Sequence, residues 1–350
     1  MAKLHTDKPI LVTGATGYIA SWIIKLLVDE GYSVRGSVRS KSDKSKLAHL
    51  EKIGEEGKGT LELFEADLLK PGSFNAAMES CEFVMHTASP FQITGIKDPQ
   101  AQLVDPALEG TKNVLDAATA SKSVKRVVLT SSVVAIYGDA ADRDLTKTGV
   151  FTEEYWNTTS SLKHQPYNYS KTLAEQEAWK ITEEQDSWDL TVINPGFVLG
   201  PSLSTRVDST STDFMRSMLN GKYSTGAPDL EFGIVDVRDV AQAHLQAAFT
   251  KSASKRHILV AESRKAIQIA EILRDKYGSK YKVPKSVTPG FLLYIFGPLM
   301  GFSWKYLRKN VGYPLKFDNT YSIEDLKISY RPVEDTLLEQ ADQLINDGLI

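Results

Sequence analysis

The first half of the chain alternates short apolar, β-rich runs with stretches that have helical spacing. The runs begin with ILVTG at residue 10 and YSVRGSVR at residue 32, and they continue as far as LTVINPG at residue 190. Helical spacing fills the intervals, as in residues 21–30 and 100–120. Nearly continuous apolar strands separated by helices are typical of a parallel sheet that is covered on both faces. The sequence therefore predicts an α/β fold with a doubly wound parallel sheet.

The turn after the first of these strands has the pattern of a phosphate-binding site. In ILVTGATGYIA, Gly14 and Gly17 follow a buried strand and precede a helix, and Ala20 takes the place of a third glycine. Glycine permits a tight turn and the close approach of a diphosphate, which the free amides at the positive end of the helix can bind. The strand before the turn and the helix after it make this a prediction of dinucleotide binding.

The end of the second strand indicates which dinucleotide binds. An acidic residue at this place bonds the ribose 2′-hydroxyl of NAD, whereas an arginine binds the 2′-phosphate of NADP. Arg39 ends the strand here, and Lys41, Lys44 and Lys46 follow. Because a guanidinium can bind a phosphate through two hydrogen bonds, the predicted cofactor is NADP, used as NADPH. Which of the three lysines contacts the phosphate stays open.

The alternating pattern loosens after Pro195 into a sequence rich in serine and threonine, and it resembles the first half again near residues 233–262. We expect residues 1–195 to form an NADP-binding Rossmann domain to which residues 233–262 return. Residues 196–232 and 263–350 are then expected to form a smaller, interleaved substrate-binding lobe.

The segment PYNYSK at residue 166 begins a predicted helix. Pro166 suits the first helical turn, and good helix formers follow it. Tyr167 and Lys171 are four positions apart and share one face, whereas Tyr169 faces roughly the opposite way. This geometry favours Tyr167 as the partner of Lys171 and leaves Tyr169 to packing.

The segment RVVLTSS at residue 126 reads as the fifth strand, and its apolar run stops at Ser131 and Ser132. Ligands of open α/β sheets bind at the carboxyl ends of the strands, so these hydroxyls are expected in the cleft. Because side chains alternate along a strand, only one of the two can face the cofactor. The residues themselves do not say which.

These features together resemble the extended short-chain dehydrogenase/reductases. Within them the chain is similar to the group that contains plant dihydroflavonol 4-reductases, cinnamoyl-CoA reductases and yeast methylglyoxal and ketone reductases. The resemblance runs nearly the full length. The segments that carry it are TGATGYIA at residue 13, HTASPF at 86, RVVLTSS at 126, YSKTLAEQEAW at 169, VDVRDVAQAHL at 235 and DNTYSIEDLKISYRPVEDTL at 318.

The resemblance implies a catalytic set of Ser132, Tyr167 and Lys171. A carbonyl that accepts hydride develops negative charge on its oxygen, so it needs a proton donor and a hydrogen bond aimed at that oxygen. Tyr167 is the implied donor, Ser132 polarises the carbonyl, and Lys171 lowers the tyrosine pKa and holds the nicotinamide ribose. The implied cofactor contacts are Gly14, Gly17, Tyr18, Ile19, Arg39, Lys46, Asp67 and Leu68 beside the adenine, Thr87, Ala88, Ser89, Tyr167, Lys171, Pro195 and Val198.

The implied reaction is NADPH-dependent reduction of an aldehyde or ketone to an alcohol. In plant dihydroflavonol reductases an asparagine five residues after the catalytic serine reads the flavonoid hydroxyls, and Tyr137 stands at that place here. We therefore expect a broad aldehyde or ketone reductase with an aromatic-lined pocket. The candidate lining residues are Phe91, Tyr137, Phe197, Phe214 and Tyr223.

Three other functions fit the same motifs. A nucleotide-sugar epimerase or dehydratase shares the glycine turn and the Tyr/Lys pair, but it keeps NAD tightly bound, and Arg39 argues against NAD. A hydroxysteroid-type dehydrogenase would differ in substrate and direction. An NADP-binding redox sensor would be non-enzymatic, and the retention of Ser132, Tyr167 and Lys171 together argues against it.

Charge and residue counts limit the partners. Lys and Arg total 41 against 44 Asp and Glu, a balance that favours neither nucleic acid nor a membrane surface as partner. The single cysteine, Cys81, excludes an internal disulfide and a cysteine-based metal cluster. We expect a cytoplasmic monomer or homodimer that binds a small-molecule substrate and no metal, because its six histidines show no ligand spacing.

Three further residues or segments received a structural interpretation. His86 precedes the cofactor contacts and is expected to be structural. His164 is expected to be a solvated loop residue. The apolar run Phe291–Trp304 is too short and too broken by glycine and proline to cross a membrane, so we expect it to pack in the core or line a pocket.

Overall fold

The computed structural model describes residues 6–89, 95–204 and 209–350. Its strands are named in chain order. They are β1 Ile10–Thr13, β2 Ser33–Val38, β3 Thr60–Glu65, β4 Phe83–His86, β5 Arg126–Thr130, β6 Asp189–Pro195, β7 Phe197–Leu199, β8 Glu231–Asp236, β9 Lys255–Leu259 and β10 Glu262–Lys265.

The helices surround these strands. The α-helices are α1 Tyr18–Asp29, α2 Lys44–Glu56, α3 Asn75–Met78, α4 Asp105–Ser121, α5 Pro166–Glu183, α6 Thr210–Leu219, α7 Val237–Phe249, α8 Ala266–Tyr277, α9 Gly290–Phe296, α10 Trp304–Asn310, α11 Thr320–Leu326 and α12 Val333–Asn346. A π-helical turn spans Gln100–Val104, and 3₁₀ turns span Val133–Ala135, Ala140–Leu145 and Gly297–Met300. No helix of the described residues is long and apolar enough to cross a membrane.

The main sheet has seven parallel strands among the described residues, in the order β3-β2-β1-β4-β5-β6-β9. The chain passes outward from β1 to β3, crosses to β4 and then proceeds the other way. The order therefore reverses between β1 and β4, and a sheet of this kind binds its ligand in the crevice outside the carboxyl ends of the strands at that point. The predicted doubly wound parallel sheet is confirmed.

Side chains alternate between the two faces of this sheet, as a pleated strand requires. Ile10 and Val12 of β1 belong to a buried cluster with α1 and α7, whereas Leu11 between them belongs to a cluster with α4 and α5. All three side chains are fully buried. Each such side chain contributes roughly 1.5–3 kcal/mol through removal of apolar surface from water. Two covered faces explain why the strand sequences are apolar throughout.

A second, three-stranded sheet lies beside the first, and it pairs β8 with β7 in parallel and with β10 in antiparallel orientation. Helices α6, α8 and α12 pack with it around a separate buried cluster. Between β8 and β10 the chain passes through α7, which packs on the main sheet, and β9, which is a strand of it. Of the strands in residues 233–262, β8 thus pairs in the small sheet and β9 pairs with β6 of the main sheet. The division into a cofactor domain and a substrate lobe stays a prediction.

The apolar run Phe291–Trp304 does not pack as expected. Leu293 is buried, but the exposed fractions of Phe291, Ile295 and Trp304 are 64%, 60% and 62%. The expectation of a core or pocket segment is therefore wrong for these residues. A two-turn helix such as α9 can bury only one side, and Phe291 and Ile295, four positions apart, share the other.

Candidate active site

The turn between β1 and α1 has the geometry that a diphosphate needs. Gly14 has φ +68°, and a Cβ built on it would lie 3.1 Å from both Cα and Cβ of Ala88. Gly17 caps α1 without a side chain, and the first helical turn contains no acidic residue. The first amides of α1 are therefore free of a capping side chain and of a competing carboxylate. This turn fits the diphosphate of a dinucleotide.

The end of β4 is held against this turn by hydrogen bonds to Thr13. The Thr13 hydroxyl bonds His86 Nδ1 at 2.9 Å and accepts from the Ala88 amide at 3.0 Å. The Thr87 hydroxyl donates to the Thr13 carbonyl at 2.5 Å. Burial lowers the pKa of His86 to about 3, with the charge of Lys171 adding to the effect, so His86 is neutral. In this arrangement His86 supports the loop and carries no proton to a substrate.

The basic residues after β2 differ in their partners. Arg39 is exposed and forms no ion pair with a described residue. Lys44 pairs with Glu51 at 3.1 Å, and Lys46 pairs with Asp43 at 2.9 Å. The Lys41 ammonium lies 5.8 Å above the ring of Phe64. The backbone amide of Lys41 donates to the Glu65 carboxylate at 2.7 Å, but among the described residues the side-chain charges of Arg39 and Lys41 form no ion pair.

The predicted helix with Tyr167 and Lys171 is α5. Gln165 precedes it with φ +55°, and Gln165 and Asn168 donate their side-chain amides to the Gly138 carbonyl at 3.2 and 3.0 Å. Lys171 is 7% exposed, and its ammonium donates to the Thr130 carbonyl at the end of β5 at 3.1 Å. Tyr167 is half-buried. The loop at Gly138 and the end of β5 thus fix the start of this helix and its lysine.

Burial dominates the titration of both groups. It raises the pKa of Tyr167 to about 12. It lowers the pKa of Lys171 to about 8, and the negative charge of Glu175 acts in the opposite direction. At neutral pH the phenol therefore keeps its proton, which is the form a proton donor needs, and most of the lysine is charged.

The two serines after β5 have different surroundings. The Ser131 hydroxyl is buried and donates to the Glu175 carboxylate at 2.5 Å. Ser132 is half-buried, its hydroxyl accepts from the Val134 amide at 3.3 Å, and it lies 3.5 Å from the Pro195 carbonyl. The Ser131 hydroxyl thus donates its proton to a partner inside the protein. Ser132, whose bonds are long, retains the hydroxyl that a ligand could use.

A pocket between β4, β5, α4 and α5 brings several predicted cofactor contacts together. Leu68, Ala88, Ser89 and Lys171 line it. Other predicted contacts lie outside it: Arg39 and Lys46 follow β2, and Asp67 is exposed, with its carboxylate accepting from the Leu69 amide. Tyr18 donates to the Gly200 carbonyl at 2.5 Å, Ile19 packs against the core of the main sheet, and Pro195 and Val198 lie where β6 passes into β7.

The aromatic residues proposed for the substrate pocket fall into two groups. Tyr137 stacks on Phe151 with ring centroids 4.9 Å apart. Phe197 and Phe214 meet edge to face at 5.1 Å in the core of the small sheet, and Tyr223 packs against the same core. Phe91 lies outside the described residues. Among the described candidates no single aromatic cluster unites Tyr137 with the other three.

His164 belongs to a buried polar cluster that the sequence did not predict. It is 5% exposed, and its Nε2 lies 2.7 Å from the Asp139 carboxylate, whose other oxygen accepts from the Asn310 amide at 2.7 Å. The expectation of a solvated loop histidine is therefore wrong. The fold brings Asp139 and Asn310 to His164 from 25 positions before it and from α10, so no local pattern signals this contact.

Glu175 is a second feature that the sequence analysis missed. It is 1% exposed and lies on α5 four residues after Lys171, so it shares the face of that lysine. The same helical spacing that selected Tyr167 could have selected it. Among the described residues no group of three or more His, Cys, Asp or Glu side chains could hold a metal ion.

Comparisons with known proteins show similarity over most of the chain. Residues 10–261 match the model of the family described as NAD dependent epimerase/dehydratase family. The chain is 42% identical to cinnamoyl-CoA reductase CAD2 of Medicago truncatula over 80% of this chain and 84% of that protein. It is 37% identical to cinnamoyl-CoA reductase 2 of Arabidopsis thaliana over 99% of this chain and 95% of that protein.

A solved structure has the same fold. Gre2 of Candida albicans in complex with NADPH superposes with a TM-score of 0.77 and 29% sequence identity. The match covers 97% of this chain and 99% of that one. Similarity thus extends from the glycine turn through both sheets to the C-terminal helices.

Proposed function

The chain belongs to the NAD dependent epimerase/dehydratase family, and from this premise we propose that it reduces an aldehyde or ketone to an alcohol with Ser132, Tyr167 and Lys171. It is an NADP-dependent oxidoreductase of the extended short-chain dehydrogenase/reductase kind that acts on carbonyl groups. The observation that carries the proposal is the position of Lys171. Its buried ammonium donates to the Thr130 carbonyl at the end of β5, and Ser131 and Ser132 directly follow Thr130.

NADPH, when bound, supplies the hydride that reduces the carbonyl carbon. Gly14 and Gly17 would hold its diphosphate, Arg39 its 2′-phosphate and Lys171 its nicotinamide ribose. Three observations support these assignments: the left-handed turn at Gly14, the start of α1 at Gly17 without a side-chain cap, and the exposed charge of Arg39, which pairs with no carboxylate among the described residues. The remaining proposed contacts are Tyr18, Ile19, Lys46, Asp67, Leu68, Thr87, Ala88, Ser89, Tyr167, Pro195 and Val198.

The protein supplies the proton and the stabilisation of charge. Tyr167 gives its phenolic proton to the carbonyl oxygen, and the Ser132 hydroxyl donates a hydrogen bond to the same oxygen. The phenolate that remains on Tyr167 is stabilised by the positive charge of Lys171 on the same helical face. Because this face is buried, these charges interact more strongly than they would in water.

The substrate-binding lobe is proposed for residues 196–232 and 263–350. This part of the chain contains β7, most of β10 and the aromatic pair Phe197 and Phe214, which lies in the core of the small sheet. Tyr137 stands where plant dihydroflavonol reductases have an asparagine that binds the flavonoid hydroxyls. This difference favours an aldehyde or ketone over a flavonoid as the substrate. Two relatives are named for cinnamoyl-CoA, so a CoA thioester belongs among the compounds tested.

The test is the rate of NADPH and NADH oxidation by the purified protein, followed by absorbance. The panel contains aliphatic and aryl aldehydes, α-dicarbonyls, aryl ketones, β-ketoesters and a cinnamoyl-CoA thioester. Tyr167→Phe should lower kcat by roughly 100- to 10,000-fold, because a general acid contributes about that much. Tyr169→Phe on the same helix is the matched control and should keep the wild-type rate.

Two outcomes would overturn the proposal. Equal rates of Tyr167→Phe and wild type would remove the proposed proton donor. Absence of turnover with every carbonyl, together with NAD that stays bound through purification, would instead favour a nucleotide-sugar epimerase or dehydratase.

A further inference from the structure

The carboxylate of Glu175 is surrounded by hydrogen-bond donors from four different parts of the chain. One oxygen accepts from the Ser131 hydroxyl at 2.5 Å and from the Asn194 amide at 2.8 Å. The other accepts from Arg256 Nε at 2.6 Å and lies 3.5 Å from the indole nitrogen of Trp179. Burial of a charge is costly unless it is paired and hydrogen-bonded, and this one is both.

Two of these donors, Ser131 and Asn194, lie next to residues of the proposed site. Ser131 directly precedes Ser132, and Asn194 directly precedes Pro195 and also donates to the Ser132 carbonyl at 3.1 Å. The Ser132 residue is therefore fixed on both sides by groups that Glu175 holds. Glu175 itself stands on α5, the helix of Tyr167 and Lys171.

Arg256 completes the cluster from β9. Its guanidinium donates to the carbonyls of Glu153 and Tyr155 at 2.8 and 2.6 Å and stacks over the ring of Trp156 at 3.9 Å. All its bonds are made inside the protein, since the residue is only 6% exposed. The position of the arginine, and with it the position of the Glu175 carboxylate, is thus fixed by the surrounding backbone.

Glu175 is also the charged group that acts on Lys171. On α5 the lysine has Tyr167 one turn before it and Glu175 one turn after it. From β4 it meets His86, which is neutral, and from α4 the pocket receives Ala107, Gly110 and Thr111, which carry no charge.

The other elements that pack on α5 add little charge. The turns at Gln100–Val104 and Val133–Ala135 contain no charged residue. Asp189 is the charged residue of β6, and it is paired with Arg126. Within the described part of the chain Glu175 is therefore the negative charge that Lys171 meets.

We propose that Glu175 is a positioning residue of the catalytic set: its carboxylate, one helical turn after Lys171, fixes the Ser131–Ser132 turn against helix α5. The inference rests on the proposed function, because it assigns a role toward Ser132 and Lys171. Two distinct actions follow: the hydrogen bonds fix geometry, and the charge favours the ammonium form of the lysine. A variant that keeps the shape and removes the charge separates them.

The test uses Glu175→Gln in the full chain. Competitive acetylation with a trace of acetic anhydride, read by mass spectrometry across a pH series, gives the pH at which Lys171 is half deprotonated. This measurement works whether or not the protein turns over a carbonyl. Without the carboxylate the midpoint should fall by about one pH unit from its wild-type value near 8, because a charge one helical turn away acts at short range in a partly desolvated site.

Glu177→Gln is the matched control. Glu177 lies on the same helix, is 21% exposed in its side chain and faces Lys112 at 3.6 Å, so its loss should leave the midpoint of Lys171 unchanged. In active enzyme the basic limb of the kcat profile should move to lower pH together with the midpoint in Glu175→Gln and stay in place in the control.

A purely structural role gives a different result. If Glu175→Gln lowers the melting temperature and kcat equally at every pH while the midpoint of Lys171 stays in place, the inference is overturned. If the single variant does not fold, Glu175→Gln combined with Arg256→Met removes both buried charges, and the midpoint should still fall, since Arg256 is not among the groups that shift the pKa of Lys171. If no carbonyl is reduced by the wild type, the proposed function fails and the labelling still decides the inference.

Discussion

Gly14 and Gly31 allow the role of the phosphate-binding turn to be separated from backbone strain. Both glycines have positive φ, at +68° and +94°. A Cβ on Gly14 would lie 3.1 Å from Ala88, whereas a Cβ on Gly31 would meet nothing within 4 Å. An alanine at either place pays the cost of a left-handed backbone, but only the one at residue 14 also crowds a neighbour and the proposed diphosphate site.

The expected magnitudes follow from this difference. A left-handed non-glycine residue costs about 1–2 kcal/mol, and the reduced freedom of the unfolded chain returns about 0.4–1 kcal/mol. Gly31→Ala should therefore lower the free energy of unfolding by about 1 kcal/mol. Gly14→Ala should lose about 1 kcal/mol more, because overpacking against the loop that holds Ala88 adds a cost of that order.

The assay has two parts. Urea unfolding gives the free energies, and titration with NADPH gives the dissociation constants. Gly14→Ala should weaken NADPH at least about tenfold, which is about 1.4 kcal/mol, while Gly31→Ala should bind it as the wild type does. Equal affinities of the two variants would refute the assignment of the diphosphate to this turn, and equal stabilities would refute the crowding at Ala88.

Two further predictions concern the cofactor phosphate and acid stability. Arg39→Gln should raise the KM for NADPH about tenfold or more and leave the KM for NADH unchanged. Lys52→Gln removes the same charge from α2 and should change neither KM. A parallel rise of both KM values in Arg39→Gln would contradict the assignment of Arg39 to the 2′-phosphate. Burial lowers the pKa of His86 to about 3 and of His244 to about 4, below the value of about 6.5 in the unfolded chain. Because the unfolded chain then binds protons that the folded chain does not, the contribution of these histidines to the free energy of unfolding should be constant above pH 6.5 and fall below it by up to about 1.4 kcal/mol per pH unit for each histidine. Urea unfolding between pH 7 and 4.5 measures this free energy. It should decline less steeply in His244→Gln than in the wild type, and a wild-type value that does not change with pH would contradict the prediction.

The parts of the molecule that the sequence predicted are those with local patterns. The glycine turn after β1 depends on residues within a few positions of one another, and the place of Tyr167 and Lys171 on one face of α5 depends on one helical turn. The sheet follows from apolar runs that need no knowledge of their partners. Local geometry of this kind survives in almost any tertiary arrangement that contains the same elements.

The choice between Ser131 and Ser132 shows where local patterns stop. Alternation along β5 says that the two hydroxyls differ in direction but not which faces inward. Their surroundings differ because of Glu175, which lies on α5, and Arg256, which lies on β9 at the edge of the main sheet. Only the folded chain brings this buried carboxylate to Ser131.

His164 was misjudged for the same reason, since its partner Asp139 stands in a separate loop. The run Phe291–Trp304 was misjudged for a different reason. Its apolar composition favours burial, but composition does not say how many sides of a short helix are covered. Apolar residues on a folded surface are common, and burial is only the usual outcome for them.

The contact of Asn310 with Asp139 has a consequence for chimeric enzymes. Asn310 comes from α10, in the C-terminal part proposed to bind substrate, yet the aspartate it bonds also holds His164, three residues before Tyr167. A graft that replaced the C-terminal part with that of a relative, and brought a residue other than asparagine to this place, would remove the shorter of two hydrogen bonds to this buried oxygen. The bond that stays is the one from the Gln165 amide at 3.4 Å, beside the start of α5. A chimera that exchanges the proposed substrate lobe should therefore exchange residues 139, 164 and 310 together with it, as one set.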